Sequence, residues 1–201
     1  MLGASRPRAV PYEIVAIGTS AGGVKALVKV LGALPADFPV PLVIVQHLDP
    51  HHDTILADLL DRRSRLRVKL AENGETAEPG AAYLAPPDRH LLVAPGGKLV
   101  LSQGDKVRFV RPSADSLFAS VAEVYGAAAL VCVLTGTGFD GSTGAKEVTA
   151  RGGTVVAEDP DTAEFKGMPQ AVANAVAVDL VLPLDDIAGA LVALTERTRS
   201  L

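Results

Sequence analysis

Gly18-Thr19-Ser20-Ala21-Gly22 satisfies the G-x-S-x-G spacing of a nucleophile elbow, at the point where a short apolar run gives way to a helical pattern. Glycines on both sides allow a sharp turn, so the Ser20 hydroxyl would stand exposed near a helix N-terminus, where orphan N–H groups can hold an oxyanion. A structural turn with Ser20 as N-cap, or a phosphate cradle, would use the same stretch. It is not the dinucleotide fingerprint, whose third position is glycine rather than Ser20. His47 closes a second apolar run, and an imidazole there could take the Ser20 proton as general base. The bland alternative for His47 is a half-buried ring bonded to backbone. Thr135-Gly136-Thr137-Gly138-Phe139-Asp140-Gly141 follows a third run, and Asp140 could orient that imidazole. As an ordinary N-cap of its own helix, Asp140 would be replaceable by asparagine at little cost. The backbone N–H groups near Ala21, Thr137 and Gly138 are the candidate oxyanion donors.

The elements that must position these residues alternate along the chain. Residues 13–18 and 41–46 read as buried strands, and 130–134, 154–157 and 178–182 as further strands. Between them, Val24, Leu27, Val28 and Leu31 repeat at helical spacing before Pro35, and Ile55, Leu56, Leu59 and Leu60 mark a second helix. Leu117, Phe118, Val121, Val124 and Tyr125 form a third, with Ser113 as N-cap; residues 140–151 and the stripe Ile187, Ala190, Leu191, Leu194 give two more. Residues 90–94 and 98–101 flank Pro95-Gly96-Gly97, the signature of an antiparallel hairpin. The expected fold is α/β: a doubly wound, mostly parallel sheet with helices on both faces and a β-hairpin attached. Ligands of such folds sit beyond the carboxyl ends of the strands, where Ser20, His47 and Asp140 all fall.

Composition narrows the class. Of 201 residues, 48% are hydrophobic and 21% charged, which excludes a disordered chain. With 19 basic against 23 acidic residues and a net charge of −4, there is no basic footprint for nucleic acid. The single Cys132 cannot form an internal disulfide or a cysteine metal cage, so a reducing, cytoplasmic compartment is expected. Apolar runs such as 127–134 fall far below the ~20 residues of a membrane span. Residues 1–12 have arginines but no apolar core, and read as a tail before one domain over 13–201. His51-His52-Asp53 looks like a metal cluster, yet consecutive residues do not share a helix face; Asp53 reads as a helix cap and both histidines as surface. His90 reads as structural, the run Arg62-Arg63-Ser64-Arg65 with Arg67 and Lys69 as solvated charge, and Glu158-Asp159-Pro160-Asp161 as an acidic turn at the cleft.

Taken together, Ile17 to Gly23, Val45-Gln46-His47 and Leu134 to Gly141 resemble the catalytic domain of the chemotaxis protein-glutamate methylesterases (CheB-type). Pro79-Gly80-Ala81-Ala82-Tyr83-Leu84-Ala85-Pro86, Asp88-Arg89-His90, Arg111-Pro112-Ser113-Ala114-Asp115-Ser116-Leu117-Phe118 and Gly167-Met168-Pro169 extend the resemblance, with the blocks in family order. The resemblance implies a Ser20–His47–Asp140 triad and hydrolysis of glutamate γ-methyl esters on chemoreceptor signalling helices, releasing methanol. It further implies deamidation of receptor glutamines and no metal or organic cofactor. Two departures stand out: Ala21 replaces the family's common threonine, and Thr137 its frequent methionine. The family usually carries an N-terminal phosphoacceptor receiver domain, which residues 1–12 are too short to be. A stand-alone esterase, a piece of a longer chain, or a receiver on a separate chain are the three arrangements left open. The rival reading is a non-catalytic phosphate-, nucleotide- or partner-binding module on the same fold, since both glycine-rich loops precede helices.

Overall fold

The computed structural model describes residues 10–47 and 54–197. Its elements run β1 (Ile14–Thr19), α1 (Gly23–Ala33), β2 (Leu42–Gln46), α2 (Leu56–Asp61), β3 (Arg67–Leu70), β4 (Ala81–Leu84), β5 (His90–Ala94) and β6 (Lys98–Ser102). They continue with α3 (Ala114–Tyr125), β7 (Ala129–Val133), α4 (Ser142–Ala150), β8 (Thr154–Glu158), α5 (Gly167–Ala175), β9 (Leu180–Leu182) and α6 (Leu184–Arg197). Seven strands form one sheet in the order β3-β4-β2-β1-β7-β8-β9. Every pairing in it is parallel. The doubly wound α/β expectation holds, and the hairpin is present as a separate antiparallel β5–β6 pair.

Alternation of side chains along the central strands splits the core in two. Val15, Ile17, Leu42 and Ile44 face α1, α2 and α6, joining Leu27, Leu31, Leu60 and Leu191. Ile14, Ala16, Val43 and Val45 face the other way, joining Phe118, Val148, Met168 and Leu91. Because both faces are covered, β1, β2, β7 and β8 are buried along their whole length. The edge strands β3 and β9 are half exposed instead. Consequently most of the apolar runs that can be read in the sequence are the middle of the sheet, and of its two edges only β9 shows as such a run.

Several elements differ from the sequence reading. Arg67 and Lys69, taken as part of a solvated run, lie on edge strand β3, where charge discourages further strand pairing. The strands β3 and β4 escaped notice because Arg67-Val68-Lys69-Leu70 is short and charged and Ala81-Ala82-Tyr83-Leu84 is weakly β-forming. Helix α5 escaped because Pro169 looks like a breaker, yet it sits in the first turn, where no N–H is missed. In α2 the buried residues are Leu56, Ala57 and Leu60, while Ile55 and Leu59 are exposed. Helix α4 begins at Ser142 with Gly141 at its cap (φ 92°), so Asp140 lies outside it. His51, His52 and Asp53 lie outside the described residues, as does most of the 1–12 tail.

Candidate active site

Strands β2, β1 and β7 are immediate neighbours, so the residues that follow them meet at one sheet edge. Ser20 Oγ lies 3.0 Å from His47 Nδ1, and His47 Nε2 lies 2.8 Å from Asp140 Oδ2. A carboxylate only accepts, so Nε2 carries the proton and Nδ1 offers its lone pair to the serine hydroxyl. Asp140 is buried, whereas Ser20 and His47 are partly exposed. The arrangement is a hydrogen-bonded chain that can relay a proton, with its outer end partly exposed.

The seat of Ser20 is built from main chain and the side-chain amide of Gln46. Ser20 N–H donates to Thr135 O (3.1 Å), and Ser20 O accepts from Gly23 N (2.9 Å) and Gln46 Nε2 (2.9 Å). Gly22 takes the left-handed conformation (φ 76°) and caps α1 without any side-chain bond, which leaves the Ser20 hydroxyl to face His47. Ser20 is therefore not the N-cap, and among the described residues it is not one of the non-glycines at positive φ. A Cβ on Gly23 would fall 2.0 Å from Gln46 Oε1 and 2.4 Å from Thr19 Oγ1, so only glycine lets the strand, the loop and Gln46 close together. The Ala21 N–H has no acceptor among the described residues; Thr137 and Gly138 are exposed on the facing loop.

Thr135 ties this seat to β8. Its N–H donates to Glu158 Oε2 (2.7 Å), its carbonyl accepts from Thr19 Oγ1 (2.7 Å) and Ser20 N, and its hydroxyl accepts from Phe165 N (2.8 Å). Burial raises the Glu158 pKa, an effect that the Thr135 N–H opposes and nearby Glu164 reinforces. Glu158 reads in sequence only as the first residue of an acidic turn; its register at the end of a buried strand is what makes it structural. Gln46 was detectable as the one polar residue closing an otherwise apolar strand.

Asp140 is held differently. Oδ1 accepts from Ser113 Oγ (2.8 Å), Asp115 N (2.9 Å) and Gly141 N (3.0 Å), while Oδ2 accepts from Ala114 N (2.6 Å) as well as His47. The carboxylate thus occupies the N-terminus of α3, not of its own helix, and the positive end of that helix favours its charge. Burial pushes the Asp140 pKa up, but His47, the Asp115 and Ala114 N–H groups and the Ser113 hydroxyl together bring it below the usual carboxylate value. Asp115 returns the favour by accepting from Thr143 N and Gly144 N (both 2.8 Å) at the start of α4. Ser113, the anticipated N-cap of α3, also accepts from Ser116 N (3.4 Å).

Other nucleophiles are poorly placed. Cys132 is buried within β7, and burial, with the charge of Glu158, pushes its thiol far up, which disfavours the reactive thiolate. His90 is buried on the hairpin with Nε2 against Asp105 O (3.0 Å), in keeping with a structural role. A cavity of about 930 Å³ lies at the opposite end of the strands, lined by Tyr12, Pro41, Gly96 and Tyr125. A second, of about 610 Å³, meets the serine loop only at Gly22. Neither is lined by Ser20, His47 or Asp140.

Comparison with known proteins identifies the family and the fold. The CheB methylesterase family matches residues 15–191. The crystal structure of the Thermotoga maritima CheB methylesterase catalytic domain superposes with a TM-score of 0.87 at 42% identity, covering 92% of this chain and 100% of that one. The protein-glutamate methylesterase/protein-glutamine glutaminase of Thermotoga maritima is 44% identical over 87% of this chain but only 52% of its own length. Its Maricaulis maris counterpart is 46% identical over 87% of this chain and 44% of its own. A Leptospira interrogans chain provisionally given the same description is 40% identical, with 88% and 92% covered. The chain therefore spans about half the length of the first two relatives and nearly all of the third.

Proposed function

The chain belongs to the CheB methylesterase family, and from that premise we propose that it hydrolyses glutamate γ-methyl esters on chemoreceptor signalling helices, with Ser20, His47 and Asp140 as its catalytic residues. The observation that carries the assignment is the relay of 3.0 and 2.8 Å from serine hydroxyl through imidazole to a buried carboxylate. A phosphate-binding or partner-binding module would need neither the histidine between them nor the carboxylate behind it.

In this reading His47 Nδ1 takes the hydroxyl proton as Ser20 Oγ attacks the ester carbonyl. The charge that develops on the carbonyl oxygen is met by the unengaged Ala21 N–H, with the exposed backbone of Thr137 and Gly138 opposite. Asp140 remains ionised, accepts the Nε2 proton's hydrogen bond and stabilises the imidazolium. The Nδ1 proton then passes to the departing methoxide, so methanol leaves and Ser20 is acylated. Water, deprotonated by His47, attacks the acyl carbon, releasing glutamate and restoring the serine. A glutamine side chain would follow the same course with ammonia as leaving group, which accounts for protein-glutamine glutaminase chemistry.

No helix among the described residues is long and apolar enough to cross a membrane. In this reading the chain works in the cytoplasm, acting on the receptor's signalling helices. The test is methanol release from a methyl-esterified receptor fragment by wild type and by Ser20→Ala. Loss of turnover in a variant of unchanged fold is expected; wild-type turnover would overturn the nucleophile.

A further inference from the structure

Beside the relay, the chain makes a two-residue hairpin turn from unusual residues. Val107 N donates to Val110 O (3.1 Å) and Val110 N to Val107 O (3.0 Å), enclosing Arg108 at φ 50° and Phe109 at φ 71°. Such turns need positive φ at both central positions and are normally filled by asparagine and glycine, because a Cβ is strained there. Here the strained turn holds a phenyl ring 94% exposed to solvent. Strain retained at a water-facing aromatic points to a use other than stability.

Arg108 links this turn to the reacting groups. Its Nε donates to Asp115 Oδ2 (3.1 Å), and Asp115 is the residue whose N–H holds Asp140. One terminal nitrogen donates to Thr143 Oγ1 (2.8 Å), and the guanidinium carbon lies 5.1 Å from the ring centre of Phe139. Phe139 immediately precedes Asp140 and is itself 56% exposed. Residues 106–111 also carry three cations and no anion in a chain of net charge −4, with Arg108 and Arg111 anchored by Asp115 and Asp88.

We propose that Phe109, Arg108 and Phe139 form a docking ridge for the helix that presents the esterified glutamate to Ser20. The proposal rests on the methylesterase reading and names how that substrate is gripped. A helix about 10–12 Å across that brings a side chain to the partly exposed Ser20 and His47 lies across the surface around them, so contacts beside the relay add to its affinity. Aromatic side chains anchored by an arginine are the residue types that dominate such contacts. The apolar side chains one or two turns from the glutamate would meet the two rings. Carboxylates on a glutamate-bearing helix would meet the cationic turn, Lys106 included.

The experiment measures the dissociation constant of a fluorescently labelled, methyl-esterified receptor-helix fragment by anisotropy. Phe109→Gly, which suits φ 71° and removes the ring, should weaken binding about tenfold. It should also raise Tm by about 2–4 °C through relief of strain. Val181→Ala, an exposed apolar residue on the far edge strand β9, should leave binding unchanged. If Phe109→Gly folds poorly, Phe109→Asn serves as the second variant. An unchanged dissociation constant in a folded Phe109 variant overturns the ridge and leaves the hydrolytic reading standing. Retained turnover in Ser20→Ala would instead overturn the hydrolytic reading, and the binding measurement would still decide the ridge.

Discussion

Ser20 and Asp140 flank the same imidazole, yet the two are held by different kinds of structure. The serine sits in a loop fixed by backbone bonds with Thr135, just past β7, and Gly23, at the start of α1, and by the side-chain amide of Gln46 at the end of β2. The aspartate is fixed by the N-terminus of α3, an element that lies some 25 residues earlier in the chain. The serine is positioned mainly by the shape of the main chain; the carboxylate is positioned by its charge. Substitutions should therefore fail in different ways at the two ends of the relay.

The largest effect is expected between the two ends. His47→Ala removes the group bonded to both Ser20 and Asp140, and turnover should fall by about 10⁴–10⁶-fold, as for triad histidines elsewhere. Steady-state rates on a methylated fragment check this.

Asp140→Asn comes next, at about 10⁴-fold in turnover. Had Asp140 been a simple cap, asparagine would have cost little stability. Its two oxygens instead accept five hydrogen bonds, and an amide nitrogen placed at either position faces at least two donors. A loss of about 1–3 kcal/mol is expected by denaturant unfolding. The pH dependence has a definite sign. Because the folded-state pKa of Asp140 is depressed, its ionised form stabilises the fold above the ordinary value near ~3.9 and loses that effect as pH falls through the lower, folded value. The Tm difference between wild type and Asp140→Asn should shrink as pH drops from 6 towards 3; a constant difference would mean that the charge is not what holds α3.

How much of this could be read from the sequence follows the same division. The serine loop is contiguous, so its glycines and the strand before it announce themselves in five residues. The central strands are legible because burial on both faces leaves uninterrupted apolar runs. That Asp140 belongs to α3 was hidden, since aspartate before a helical pattern reads as the cap of that helix and no local signal points to Ala114 and Asp115. Edge strand β3, charged and half exposed, gave no apolar run. Glu158 and Thr135 pair only through the register of β7 against β8, which adjacent residues do not encode.

At the serine end, Gly23→Ala should act through shape alone. Its methyl group would collide with Gln46 and Thr19, so about 1–3 kcal/mol of stability should be lost, with a reduction in kcat as the Ser20 seat shifts. The smallest effect belongs to Gly96→Ala in the β5–β6 turn. That position, unlike Gly23, is left-handed (φ 76°), but nothing lies within 4 Å of the added methyl. Only the backbone penalty of about 1–2 kcal/mol remains, and kcat/KM should be unchanged. If Gly96→Ala slowed hydrolysis as much as Gly23→Ala, the seat of Ser20 would not be the reason for the glycine at position 23.

The central claim is that Ser20 is a nucleophile activated by His47. It is tested most directly by reacting the intact chain with a fluorophosphonate and mapping the adduct by mass spectrometry, in wild type and in His47→Ala. The account predicts a single adduct on Ser20 Oγ that is nearly abolished by His47→Ala. An adduct on another residue, or one on Ser20 that forms equally fast without His47, would contradict it.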